Sequence, residues 1–86
     1  MEGFYVYVLQ SKVDAKFYTG FTSDISRRLD EHNSGKVFST KNRTPFDLVY
    51  FEYCLHIADA THREKYLKTT YGKRFIKQRI KHYLIF

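Results

Sequence analysis

The run FYVYVL, residues 4–9, constrains the fold most, because each of its residues is aromatic, β-branched or leucine. Successive side chains of a strand point to opposite faces. Tyr5, Tyr7 and Leu9 therefore share one face, and the alternate residues share the other. Because both faces are apolar, both need cover. We therefore expect a sheet covered by helices.

The rest of the chain predicts two further strands and three helices. Asp24 is a good helix N-cap and Gly35 a good helix breaker, which predicts a helix between them; Asp59 is expected to cap a second helix and Gly72 to interrupt it. The predicted elements are strands at 4–9, about 16–21 and about 47–54, helices at 24–33, 60–70 and 73–83, and a polar, basic loop at 34–46. This order, β-β-α-loop-β-α-α, predicts an α+β fold with a three-stranded antiparallel sheet flanked by helices.

A chain of 86 residues is expected to form one domain, here residues 1–86. Its net charge of +6 is concentrated in residues 65–86, a basic helical segment with seven Lys or Arg and no acid. Such a block favours a polyanionic partner, most often nucleic acid. A solvated helix face has the same composition, so both interpretations stay open.

Several classes of protein are excluded by the composition. No apolar run approaches the roughly 20 residues that span a bilayer, and the N-terminus has no signal-peptide pattern. We therefore expect a cytoplasmic protein with no membrane partner. Cys54, the single cysteine, has no metal-ligand spacing around it and is expected to be a buried, inert thiol.

Polar residues occupy apolar positions of the first predicted helix. Ile25, Leu29 and His32 form its apolar stripe, and Arg28 lies beside that stripe. A desolvated charge without a partner costs several kcal/mol by the usual estimates. Arg28 therefore either meets a carboxylate or lines an open cleft.

The second predicted helix repeats this anomaly. Ile57, Ala60, Leu67 and Tyr71 are predicted to form a row that faces the core, and Glu64 stands in the middle of the row. A glutamate at such a position also needs a partner.

Two explanations of these residues stay open. In the first, Arg28 and Glu64 form a buried salt bridge and His32 is a satisfied core histidine. In the second, the carboxylate is a ligand for Mg²⁺, the arginine neutralises a phosphate and a tyrosine or histidine moves a proton, as phosphodiester hydrolysis requires. Tyr7 and Tyr18, on neighbouring strands, either reach the same site or serve as core residues.

With these residues placed, the chain resembles a GIY-YIG nuclease domain, a family named for two tripeptides on adjacent strands. Here the tripeptides read YVY at 5–7 and YTG at 18–20. The match continues with an arginine eight residues after the second motif, a histidine four residues later and a glutamate on the following long helix: Arg28, His32 and Glu64. The segments TPFDLVYFE and REKYLK resemble the small stand-alone members, which are related to the N-terminal incision domain of the bacterial nucleotide-excision-repair nuclease.

The resemblance implies a metal-dependent endonuclease that hydrolyses DNA phosphodiester bonds with low sequence specificity, directed by DNA structure or acting in DNA repair. It implies that Glu64 holds a divalent metal, Mg²⁺ or Mn²⁺, and that Arg28 contacts the scissile phosphate. Tyr7 or Tyr18 would help to activate the attacking water. His32 would handle a second proton or position the phosphate.

The chain departs from the family pattern at three motif positions. Tyr5 replaces the glycine of the first tripeptide, Thr19 replaces the isoleucine of the second, and Phe21 stands where the excision-repair domains carry a lysine. A missing lysine weakens the stabilisation of phosphate charge. Lys41 and Arg43, in the basic loop, either supply that charge or are solvated loop residues.

The basic residues of the loop and of the tail are the remaining predicted contacts. The predicted nucleic-acid-binding residues are Gly20, Lys41, Arg43, Lys73, Arg74, Lys77 and Lys81. DNA is implied by the resemblance alone, RNA is not excluded, and target choice is expected from DNA structure or a protein partner. Two alternatives stay open: a catalytically inactive nucleic-acid-binding module with the same fold, and an interaction domain whose exposed aromatic residues dock another protein.

Overall fold

The computed structural model describes residues 2–85, which form a three-stranded antiparallel sheet with helices on both of its faces. The strands are β1 (Phe4–Ser11), β2 (Phe17–Thr22) and β3 (Phe46–Cys54), and the helices are α1 (Ile25–Asn33), α2 (Ile57–Leu67), α3 (Thr70–Arg79) and α4 (Lys81–Ile85). The strand order is β2-β1-β3, with both neighbours antiparallel to β1. The predicted α+β fold is confirmed.

The central strand β1 is apolar on both faces because each face packs against a different set of helices. Val6 and Val8 are fully buried in a core that includes residues of α2 and α3. Tyr7 and Leu9 point the other way and pack against α1. The alternation predicted for residues 4–9 is therefore the reason that β1 occupies the centre of the sheet.

Helix α1 begins where its sequence signals predict. The carboxylate of Asp24 accepts a hydrogen bond from the backbone N–H of Arg27 at 3.1 Å, which satisfies a free donor of the first turn. At the other end, the side-chain oxygen of Asn33 accepts from the Phe46 N–H at 2.7 Å, and its amide donates to the Phe46 carbonyl at 3.1 Å. These two bonds fasten α1 to the start of β3 across the intervening loop.

Helix α2 begins three residues earlier than predicted, because its cap is His56 and not Asp59. The Nδ1 atom of His56 accepts from the N–H of Ala58 at 3.0 Å. Asp59 instead lies in the first turn of the helix, where a negative charge suits the helix dipole.

The predicted interruption at Gly72 is wrong, since α3 runs through that residue. The helix is interrupted instead at residues 68–69. There the Thr69 hydroxyl caps α3 by accepting a hydrogen bond from the Gly72 N–H at 3.1 Å. A methyl group at Gly72 would collide with the Tyr66 carbonyl oxygen and with the backbone of Leu67. The glycine therefore allows α3 to approach the end of α2. The predicted helix over 73–83 is also divided, between α3 and α4.

The predicted row on the second helix is correct only in its middle. Ala60 and Leu67 are buried, but Ile57 is 47% exposed and Tyr71 is 69% exposed. The break at residues 68–69 changes the direction of the chain, so spacing counted along one continuous helix no longer applies to Tyr71.

Two further expectations concern the membrane and the thiol. Among the described helices, none has the length and apolar character that crossing a bilayer requires. Cys54 is a free, half-buried cysteine, and burial raises the pKa of its thiol. A thiol with a raised pKa stays protonated at neutral pH, as an inert thiol does, but the predicted full burial is wrong.

Candidate active site

A chain of hydrogen bonds links the first strand, the first helix and the loop that follows it. The Tyr7 hydroxyl lies 2.9 Å from Nε2 of His32, and Nδ1 of the same ring lies 2.7 Å from the Thr40 hydroxyl. His32 has no exposed surface, and its ring packs edge-on against the rings of Tyr7, Tyr18 and Phe46. Both ring nitrogens are therefore satisfied inside the protein.

His32 is held neutral by its surroundings. Burial, assisted by the positive charge of Arg28, lowers its pKa from 6.5 to about 4, against an opposing effect of Glu31. A neutral imidazole carries one proton. The Thr40 hydroxyl faces the Val37 carbonyl oxygen at 3.5 Å, so we assign the ring proton to Nδ1, which donates to Thr40. Nε2 then accepts the hydrogen bond of the Tyr7 hydroxyl.

The Tyr7 hydroxyl lies between this histidine and a guanidinium group. Burial raises its pKa above 10.0, while a hydrogen bond from Arg28 and the charge of that residue act in the opposite direction. The charges of Tyr18 and Glu64 add to the rise. Tyr7 is therefore protonated at neutral pH, its hydroxyl donates to His32, and the Arg28 guanidinium lies close enough to act on its pKa.

Gly20 makes room for this tyrosine. It pairs with Tyr7 across the two strands, and the Tyr7 side chain lies over it. A Cβ atom at Gly20 would stand 2.5 Å from the Tyr7 hydroxyl oxygen, well inside contact distance. Because Gly20 is buried, its contribution is the space that it leaves, and the predicted direct contact with nucleic acid is not favoured by its position.

Arg28 and Glu64 do not pair with each other. Arg28 forms an ion pair with Glu31 at 3.1 Å, and Glu64 forms one with Lys68 at 3.1 Å. The buried Arg28–Glu64 salt bridge is therefore not formed in the described structure, and this explanation of the two charges is wrong. His32, by contrast, is a satisfied core histidine, as the same explanation supposed, and it also contacts Tyr7.

Glu64 is the residue of this site that suits a metal. Its side chain is 17% exposed and lies close enough to Tyr7 to act on the tyrosine's pKa. Residues 2–85 contain no cluster of three or more His, Cys, Asp and Glu side chains arranged to bind a metal. Mg²⁺ in phosphate-handling sites uses one or two carboxylates together with waters and substrate phosphates, so a single carboxylate fits that ion.

Tyr18 and Tyr5 differ in their relation to the site. The Tyr18 ring is 5.1 Å from the His32 ring, and its hydroxyl accepts from Ser39 at 3.5 Å, so it borders the site. Tyr5 instead packs edge-on against Phe51 and Tyr53 on the neighbouring strand. The tyrosine that replaces the motif glycine therefore takes part in an aromatic cluster outside the hydrogen-bonded chain.

The predicted basic residues lie in separate places. Arg43 is engaged in an ion pair with Asp14 at 2.8 Å. It nevertheless lines a groove of about 480 Å³ together with Lys16, Lys73 and Lys77. The structure therefore brings one loop cation and two tail cations together, and it adds Lys16, for which sequence spacing offers no signal.

The other predicted cations are Lys41, Arg74 and Lys81, and Arg74 also lines a smaller pocket with Lys73 and Lys77. Lys41 stands over the exposed ring of Phe38 at 4.7 Å. Arg74 and Lys81 line a second groove. Thr40 is the functional residue that the sequence did not reveal, because a threonine in a polar loop carries no distinguishing pattern.

Comparisons with known proteins identify the family to which the chain belongs. A family model described as the GIY-YIG catalytic domain matches residues 3–83. A UPF0213 protein of Clostridium perfringens is 42% identical over 65 residues, which cover 74% of this chain and 69% of the relative. A UPF0213 protein of Staphylococcus saprophyticus is 36% identical over 78 residues, which cover 90% and 94%. The solution NMR structure of a UPF0213 protein from Bacillus halodurans matches with a TM-score of 0.56 and 34% identity, over 88% of this chain and 83% of that one.

Proposed function

Because this chain belongs to the GIY-YIG catalytic domain family, we propose that it is a metal-dependent endonuclease that hydrolyses phosphodiester bonds of DNA. The observation that carries the proposal is the position of the Tyr7 hydroxyl, between the Arg28 guanidinium and Nε2 of a neutral His32. This arrangement offers a proton acceptor, a proton relay and a phosphate-binding cation at one place.

The proposed reaction begins with a water molecule at the Tyr7 oxygen. The water gives a proton to that oxygen as the Tyr7 proton moves to Nε2 of His32, and the water oxygen forms the new bond to phosphorus. The ester oxygen leaves with the electrons of the broken P–O bond and takes a proton from solvent. The departing proton thus resides on His32, whose Nδ1 remains hydrogen-bonded to Thr40.

Charge is balanced by two other residues. Arg28 has a partly exposed guanidinium that already contacts Tyr7, and it would donate hydrogen bonds to the scissile phosphate. Glu64 would hold the divalent ion, Mg²⁺ or Mn²⁺, which when bound supplies positive charge for the phosphate oxygens. Tyr18 borders the same space and would orient the water or the phosphate.

The groove of about 480 Å³ that Lys16 lines supports a role in binding the DNA backbone for Arg43, Lys73 and Lys77, and Lys16 joins them. Cations that contact phosphates bind DNA without reading its sequence, so we expect low sequence specificity. Target choice would then come from DNA structure or from a protein partner, as in a repair reaction. RNA with the same structure as the DNA substrate serves as the comparison substrate in the cleavage assay.

Plasmid nicking tests this proposal. Purified protein is incubated with supercoiled plasmid and Mg²⁺ or Mn²⁺, and the nicked product is measured for wild type, Glu64→Gln and Arg28→Ala. We expect each variant to lose at least about 100-fold in rate, as for removal of a transition-state contact. Asp59→Asn, which changes an exposed carboxylate on the same helix, is the matched control and should retain full activity. Equal nicking by all four proteins, or by none, would refute the assignment.

One observation favours the alternative of a catalytically inactive nucleic-acid-binding module. Tyr7 is only 2% exposed and its hydroxyl keeps its proton, which suits a core residue as well as a base. That module would bind DNA with a steep salt dependence and cleave none. Salt-dependent binding without nicking by wild type identifies this second function.

A further inference from the structure

A second groove lies beside α3 and shares no described lining residue with the Lys16 groove. It has a volume of about 640 Å³ and is formed by the end of α2, by α3 and by the start of α4. Its eight described lining residues include three aromatic rings and three Lys or Arg side chains, and none of the eight carries a carboxylate. The groove therefore suits a ligand that has both flat rings and negative charge.

The aromatic rings are open to solvent. Tyr71 is 69% exposed and Tyr66 is 40% exposed. The Arg74 guanidinium stands over the Tyr71 ring at 5.7 Å, so a cation and a ring face adjoin. This ring was predicted to be in the core, but the helix break at residues 68–69 leaves it exposed.

Two of the aromatic rings that line the groove contact Arg63, which in turn binds a carboxylate. The Arg63 guanidinium lies 5.2 Å from the Tyr66 ring and 4.9 Å from the Phe75 ring, and it donates two hydrogen bonds of 2.9 Å to the Glu52 carboxylate. That contact with Arg63 is also the main reason why the pKa of Glu52 is lowered. The negative charge of Glu52 is therefore neutralised by its ion pair with Arg63. Tyr66 and Phe75 thus share one cation, Arg63, as a neighbour.

We propose that this groove binds an unpaired nucleobase by stacking on Tyr71 and Tyr66, while Arg74, Arg79 and Lys81 hold the flanking phosphates. The inference rests on the proposed function, because it requires the chain to handle nucleic acid, and it adds a substrate class: nucleic acid that contains an unpaired segment. A paired base has both faces covered by its neighbours, so a duplex would use the phosphate contacts alone. An acidic peptide would likewise meet the cations without offering a base.

The chain contains no tryptophan, so Tyr71→Trp introduces a single fluorescent reporter into the groove. The experiment uses this change in the Glu64→Gln background, without added metal, so that binding is measured without cleavage. The probes are a 12-residue oligothymidylate, an abasic strand of equal length and charge, a 12-base-pair duplex and an oligoglutamate. We expect the oligothymidylate to quench the fluorescence and to bind roughly fivefold to 100-fold more tightly than the abasic strand. Tyr71→Ala, which lacks the tryptophan reporter, is measured with dye-labelled strands and should abolish that difference between the two strands.

Leu55→Trp in the same background is the matched control, because Leu55 is 59% exposed and is not among the residues that line either groove. Its fluorescence should not change with any probe. Equal affinity for the abasic strand and the oligothymidylate would overturn the proposal, as would quenching by the duplex or the oligoglutamate as strong as that by the oligothymidylate. Because no cleavage is measured, quenching without plasmid nicking would support the groove and refute only the nuclease, and nicking without quenching would do the reverse.

Discussion

Lowering the pH from 7.5 to 4.5 should remove about 2.5 kcal/mol from the free energy of unfolding through His32 alone. Its pKa is about 4 in the folded protein and 6.5 without the fold. The unfolded chain therefore binds a proton at His32 more readily than the folded chain does. Since the folded pKa is the lower one, the stabilisation is complete above about pH 6.5 and is lost as the pH falls towards 4.

The magnitude follows from the two pKa values. At roughly 1.36 kcal/mol per unit, the full separation of the pKa values corresponds to about 3.4 kcal/mol, and about three quarters of that is lost by pH 4.5. Solvent screens the interactions of His32 little, because this residue has no exposed surface. This loss would be a large part of the stability of a small domain.

Urea unfolding at pH 7.5 and pH 4.5 measures the effect in wild type and in His32→Gln, whose side chain does not titrate. The carboxylates titrate in both proteins, and Asp14, with a pKa of about 2, stays ionised throughout this range. We expect wild type to lose about 2.5 kcal/mol more than the variant. An NMR titration of the His32 ring in wild type measures the same pKa even where the variant folds poorly.

An equal loss of stability in the two proteins, or a His32 ring that titrates near 6.5, would refute the reasoning. Either result would mean that the imidazole reaches water in the folded state. The assigned tautomer and the relay from Tyr7 would then lose their basis, since a charged ring has no free nitrogen to accept the tyrosine proton.

The remaining predictions concern close packing and backbone binding. Gly20→Ala should cost about 1–3 kcal/mol in urea unfolding and lower the nicking rate, because its methyl group displaces the Tyr7 hydroxyl, and adding Tyr7→Phe should restore part of the stability but no activity. Gly72→Ala should cost about 3 kcal/mol or more, because the methyl group meets backbone atoms that cannot rotate away, and a cost below about 1 kcal/mol would contradict the close approach of α3 to α2. Lys73→Gln and Lys77→Gln should each reduce the slope of log affinity against log salt by about 1, and unchanged slopes would exclude phosphate contacts in their groove.

The sheet and the first helix could be predicted because their signals are local. An apolar pattern with a period of two marks β1, and a capping aspartate marks the start of α1. The second half of the chain was harder because its break depends on packing between helices. Gly72 reads as a helix breaker by propensity, but its missing side chain is what allows α3 to lie against α2, while the true break carries the weaker signal of a capping threonine.

Motif spacing brought Tyr7, Tyr18, Arg28 and His32 to the same region, because strand pairing and helix periodicity fix where their backbones lie. The spacing does not show which residue forms an ion pair with each of the two charges. Whether Arg28 meets Glu31 or Glu64 depends on side-chain positions several residues or several elements apart, and both choices leave the sequence pattern unchanged.

The partners that these two charges take also bear on whether the site can bind a ligand. A buried Arg28–Glu64 pair would cost about 3–5 kcal/mol to break, because each charge would be left desolvated. The observed pairs, Arg28 with Glu31 and Glu64 with Lys68, join neighbours on one helix turn and are partly exposed. Such pairs contribute only about 0.3–0.5 kcal/mol each. Exchanging Glu31 for a phosphate, or Lys68 for a divalent ion, would therefore cost little, which supports the roles proposed for Arg28 and Glu64.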